Sequence, residues 1–99
     1  MEKRGDSIVK LLRKHKKLSR TELMTMTGLS DRIVRKRIEE LRNEGFMIGV
    51  TASGGYSINN KTDFRRAMAI YKARASKEQK TYRRMQRTLE NVNQVRFEG

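Results

Sequence analysis

Between Thr27 and Ser30 the chain has four residues in which to end one helix and begin another. Gly28 can take the positive φ that closes a helix, and Ser30 can accept from the first backbone N–H groups of the next. The flanking segments fit that demand. Ser19 and Glu22 make a capping box, each side chain satisfying a backbone N–H, so a helix over Arg20 to Thr27 leads into the turn. Beyond it Val34, Ile38 and Leu41 recur at spacings of four and three, with Ile33 at the edge. This spacing predicts a further helix from Ser30 to Arg42, closed by a left-handed Gly45.

Upstream, Ile8, Val9, Leu11 and Leu12 fall on one face of a first helix, capped by Asp6 or Ser7 and ending near Lys16. Leu18 stands alone between Lys17 and Ser19. Downstream of Gly45 the period switches from helical to alternating. Phe46, Ile48 and Val50 share one strand face, Ser53-Gly54-Gly55 turns, and Tyr56 and Ile58 return on a second strand. Helix, helix, turn, helix and hairpin is the order of a winged helix-turn-helix. The expected fold is mainly α with a small β-hairpin, a winged helix over residues 1–60 followed by a C-terminal helical segment over 61–99.

That last segment carries a seam with alternating steps of four and three: Phe64, Met68, Tyr71, Ala75, Glu78, Tyr82, Met85, Leu89 and Val92. Only Glu78 interrupts the apolar and aromatic run, and a period of about 3.5 residues is what two packed helices require. A continuous helix from Phe64 to Val92 would run about 42 Å at about 1.5 Å per residue. A winged helix is only roughly 27 Å across, from its expected radius of gyration, and cannot cover such a seam alone. Either the helix breaks near Ser76, where Ser76 and Gln79 could form a capping box, and folds back, or a second chain covers it. The uninterrupted period favours the second chain. The expectation is a homo-oligomer, a dimer before any higher one, joined through Phe64, Met68, Tyr71, Ala75, Tyr82, Met85, Leu89 and Val92.

Charge decides what the outward faces are for. Twenty-four Lys and Arg against eleven Asp and Glu give a net charge of +13, spread over both halves. A chain that repels itself this strongly is built to meet a polyanion, with nucleic acid first and an acidic membrane surface second. The absence of cysteine, with His15 as the lone histidine, leaves no thiol nucleophile and no zinc-ligand set. Ser53-Gly54-Gly55 is followed by no GKS or GKT, so it reads as a hairpin tip and not a phosphate loop. Neither a signal peptide nor a membrane span is read, and the expectation is a cytoplasmic, non-enzymatic protein without cofactor, metal or small-molecule ligand.

In a helix-turn-helix the N-terminal residues of the second helix reach base edges while neighbouring groups hold phosphates. Here those residues are Ser30, Asp31, Arg32, Arg35 and Lys36. Arg32 and Arg35 suit bidentate pairing with guanine, Asp31 could accept from cytosine or orient a neighbouring Arg, and Ser30 could hold a phosphate at the helix start. Lys36 and Arg37 fit phosphate. Ser19 and Arg20, at the start of the bracing helix, complete the expected surface. The wing tip has no Arg or Lys, so its contacts would come from Thr51, Ser53, backbone N–H groups or nearby Lys61.

Leu23, the Gly28-Leu29-Ser30 turn, Val34, Ile38, Leu41, Gly45 and the wing ending Gly55-Tyr56-Ser57-Ile58 resemble the N-terminal winged helix of bacterial biotin ligase-repressors. The resemblance covers roughly residues 7–59. It implies a module that binds operator DNA as a dimer, with the third helix in the major groove and the hairpin beside the backbone or minor groove. Met24 stands where that family usually has a small residue. No ligase domain follows, so biotin chemistry is not expected. The functions that fit are a sequence-specific, dimeric transcriptional regulator, an origin-binding or replication-organising protein, or an oligomeric assembly protein using the winged helix as an adaptor for protein or RNA.

Overall fold

The computed structural model describes residues 4–74 and 79–98, with side chains over 7–74 and 80–92. In chain order it contains α1 (Arg4–His15), β1 (Lys17–Leu18), α2 (Arg20–Thr27), α3 (Asp31–Asn43), β2 (Ile48–Val50), β3 (Tyr56–Ile58), α4 (Lys61–Ala73) and α5 (Gln79–Glu98). This is a winged helix followed by two further helices.

The local signals act as their chemistry requires. Ser19 Oγ accepts from the Glu22 N–H at 3.0 Å and the Ser19 N–H donates to Glu22 Oε1 at 2.8 Å. The Ser19 bonds hold the Glu22 carboxyl below its ordinary pKa. Gly28 has φ 73° and its N–H donates to Met24 O, closing α2. Ser30 Oγ then accepts from the Ile33 N–H at 3.3 Å and opens α3. Gly45, at φ 104°, follows α3, and the Phe46 N–H returns to Leu41 O at 3.0 Å.

Two details differ from expectation. α1 begins at Arg4 instead of at an Asp6 or Ser7 cap. A glycine costs only about 1 kcal/mol in a helix, so Gly5 does not stop a turn anchored by the buried Ile8 and Val9. Leu18, which has no period around it, belongs to a two-residue strand. After Lys16 reverses the chain at φ 70°, Lys17 pairs with Ser57 and Leu18 with Tyr56. The hairpin is therefore part of a three-stranded antiparallel sheet of order β1-β3-β2. Gly55 permits this, because a Cβ there would lie 2.5 Å from Leu18 O.

The first hydrophobic cluster lies inside the winged helix, where Ile8, Leu12, Leu23, Val34 and Ile38 are almost completely buried together with Ile48 of β2. A second cluster lies on the other side of β2. Met47, Phe64, Ala67, Met68, Tyr71 and Met85 form it, with Val50, Tyr82, Leu89 and Val92 packed around them. α4 seats directly on β2 at Gly49, where a Cβ would be 2.4 Å from the Asp63 carbonyl carbon and 2.5 Å from the Phe64 nitrogen.

Much of the seam is consequently covered within one chain, with Tyr82, Leu89 and Val92 partly buried. α4 ends at Ala73, Arg74 is extended at φ −84°, ψ 163°, and α5 starts at Gln79. Of the two arrangements open from sequence, the fold-back occurs, and the uninterrupted period did not mean an uninterrupted helix. Phe64, Met68, Tyr71 and Met85 are buried by their own chain, so the size argument for a second chain falls away. Ala75 and Glu78 lie outside the described residues. α5 returns across α4 to the C-terminal end of α3, where Asn43 Nδ2 donates to Thr81 Oγ1 at 2.9 Å and Arg84 Nε donates to Asn43 O at 2.9 Å.

Candidate nucleic-acid interface

α3 presents its basic face because its apolar residues fix its rotation. Val34, Ile38 and Leu41 are buried, which turns Arg32, Arg35 and Lys36 outward as exposed residues. At about 100° per residue, Arg35 and Lys36 lie roughly 60° and 40° to either side of Arg32. Arg37 lies roughly 140° from Arg32. It is half-buried, with Nη1 3.5 Å from Glu40 Oε1, and so stands apart from the other bases of α3.

Asp31, in the first turn of α3, holds two guanidinium groups at once. Arg20 Nε of α2 is 3.1 Å from its Oδ1, and Arg35 Nε is 3.1 Å from its Oδ2. Of the two roles open to Asp31 from sequence, orienting neighbouring arginines is the one made in the free protein. Arg32 and Lys36 have no ion pair among the described residues. Beneath this surface lies Tyr56 of β3, whose phenol is pushed above its ordinary pKa by burial, against the opposing field of Arg42.

The hydroxyls of Ser19 and Ser30 accept from their helix N–H groups, while each hydroxyl proton remains a donor for an anion. In the wing, Thr51 Oγ1 accepts from the Gly55 N–H at 2.8 Å and lies 3.2 Å from Ser53 Oγ. Lys61 is half-buried at the first position of α4. Arg20, Asp31 and Arg35 are joined by ion pairs, Arg32 and Lys36 are exposed on the same helix, and Thr51 and Ser53 belong to the wing, whose Gly55 abuts Ser19.

Sequence reasoning missed Arg42 as a buried group, and it left Arg66, with Lys77, Lys80, Arg83, Arg84 and Arg87, either solvated or reaching phosphates beside the site. Arg42 is buried to 5% exposure, with Nε donating to Ile48 O at 2.7 Å and Nη1 to the Tyr71 hydroxyl at 3.2 Å. Arg66 reaches the base of the wing, donating to Val50 O at 2.9 Å and pairing with Asp63 at 2.7 Å. No pattern in the sequence marks Arg42 as an inward residue except its position one after the apolar Leu41. Of the other C-terminal bases, Arg84 turns inward to Asn43, Lys80, Arg83 and Arg87 are exposed, and Lys77 lies outside the described residues.

Among the described residues no group of three or more His, Cys, Asp or Glu could hold a metal ion. None of their helices is long and apolar enough to cross a membrane. No curated protein and no solved structure matches the chain. The model of the helix-turn-helix (HTH) domain family matches residues 4–57, the span from α1 through β3, and the chain belongs to that DNA-binding family.

Proposed function

We propose that the protein is a sequence-specific regulator that binds double-stranded DNA with α3 in the major groove. The observation that carries this reading is the single exposed face of α3 bearing Arg32, Arg35 and Lys36, presented by a turn and a bracing helix. Arg32 and Arg35 suit guanine edges, and Lys36, Ser19 and Ser30 suit the flanking phosphates. The resemblance of residues 7–59 to the biotin-repressor winged helix supports the same orientation. A helix of this length reads only a few base pairs, so two copies on a two-fold site are proposed on grounds of reach. In-vitro selection of bound duplexes, followed by sedimentation of the complex, tests both points. Inverted half-sites about 10 base pairs apart with two chains bound support pairing. One chain on an asymmetric site removes the pairing and leaves the DNA reading intact.

Arg35→Ala is expected to lose about 1–3 kcal/mol on the selected site and to relax one base preference. An equal loss on random duplex would show that Arg35 meets only phosphate. Asp31→Asn is expected to act in the opposite direction on random DNA. It releases Arg20 and Arg35 from an exposed ion pair of the kind worth about 0–1 kcal/mol, so random-duplex affinity should rise by up to about fivefold while discrimination falls. Unchanged discrimination would show that the Asp31 pairs do not matter for binding.

A further inference from the structure

Between α3, the β2–β3 pair and α4 lies a cleft of about 260 Å³, with Arg35, Lys36, Glu39, Arg42, Tyr71 and Arg74 on its walls. It holds roughly eight waters at about 30 Å³ each, and is smaller than the roughly 300–1,000 Å³ of drug-sized ligand sites. A compact group of a few heavy atoms fits it better than a cofactor.

One of its cations is unsatisfied. Arg42 is a buried cation with only neutral partners, Ile48 O and the Tyr71 hydroxyl, and its Nη2 is buried without any hydrogen-bond partner. The guanidinium of Arg74 also meets the Tyr71 ring, 5.4 Å from its centroid, with that of Arg42 at 5.5 Å. Lys36, which has no ion pair among the described residues, adds a further cation on the wall, while Arg35 is already paired with Asp31. A buried charge is costly unless it is paired, so Arg42, with its unpartnered Nη2, calls for an anion beside it in this cleft.

We infer that this cleft is an oxyanion site, taking one phosphate or carboxylate group against Arg42 with Lys36 and Arg74 beside it. Two sources offer that chemistry: a backbone phosphate of DNA lying along α3, or a small free oxyanion. Only the first rests on the DNA-binding function proposed above. Either way α4, outside the matched HTH span, contributes to a binding site.

The test uses the full chain and two readouts. In the first, inorganic phosphate is titrated at constant ionic strength while the Arg42 and Arg74 side-chain N–H signals are followed by NMR. A saturable shift is expected, weakened about fivefold by Arg74→Ala or Lys36→Ala and unchanged by Arg65→Ala. In the second, random-duplex affinity is measured against salt, where a lost phosphate contact lowers the log–log slope by about 0.9. A lower slope in Arg74→Ala assigns the site to a DNA phosphate. An unchanged slope with the phosphate response present assigns it to a free oxyanion. If neither response appears, or if phosphate shifts the signals equally in wild type and both cleft variants without a slope change, the site does not exist. A chain that binds no duplex at all fails the DNA reading and leaves the phosphate titration to decide this one.

Discussion

Phe64→Ala is expected to destabilise the protein by about 3–5 kcal/mol, the usual cost of removing a fully buried aromatic ring. Phe64 has no exposed surface and sits in the cluster formed by Met47, Ala67, Met68, Tyr71 and Met85. The neighbours that could collapse into the space come from different elements, the approach to β2, α4 and α5, so relaxation would require several of them to shift together. For a domain of this size the change corresponds to a fall in melting temperature of about 12 °C or more. Urea denaturation followed by circular dichroism measures it. A loss below about 1 kcal/mol would mean that α4 does not pack against the sheet as described.

Gly49→Ala is the second large effect, and the competing terms have opposite signs. Backbone propensity alone favours alanine over glycine in a strand by about 0.5–1 kcal/mol. Against this, the added Cβ would meet the carbonyl carbon of Asp63 at 2.4 Å and the nitrogen of Phe64 at 2.5 Å. Both are backbone atoms, so no side chain can swing away, and α4 must lift from β2. Lifting it also strains the Ser57 Oγ to Asp63 Oδ2 hydrogen bond, now 2.7 Å. Overpacking of this kind typically costs about 1–3 kcal/mol, and the backbone clash puts the expected net loss at about 3 kcal/mol, measured by the shift of the urea midpoint. A stabilised variant would show that the propensity gain outweighs the contact.

The parts of this fold that were legible in the sequence are those set by neighbours a few residues apart. Ser19 and Glu22, Gly28, Ser30 and Gly45 determine where helices begin and end through their own backbone chemistry. Val34, Ile38 and Leu41 set the rotation of α3, and with it which of its bases face outward. What stayed hidden depended on distant partners. β1 is too short to show a period, and its pairing is visible only when Gly55 is seen against Leu18. The repeat from Phe64 to Val92 specifies an apolar face and does not specify what covers it, since two helices of one chain and two helices of two chains need the same spacing. Arg42 reads as a solvated end-of-helix base until Tyr71 and Ile48 are brought to it from elsewhere in the chain. At the candidate interface, residue types and face were readable, whereas the engagement of Asp31 by Arg20, beside its i,i+4 pair with Arg35, required the angle between α2 and α3.

β2 is the outer strand of its sheet, and outer strands ordinarily leave a row of backbone acceptors on which a foreign strand can grow. Here Ile48 O and Val50 O are already occupied by Arg42 Nε and Arg66 Nη1. Two arginines from separate helices therefore occupy outward acceptors along this edge of the sheet and leave a foreign strand fewer groups to pair with.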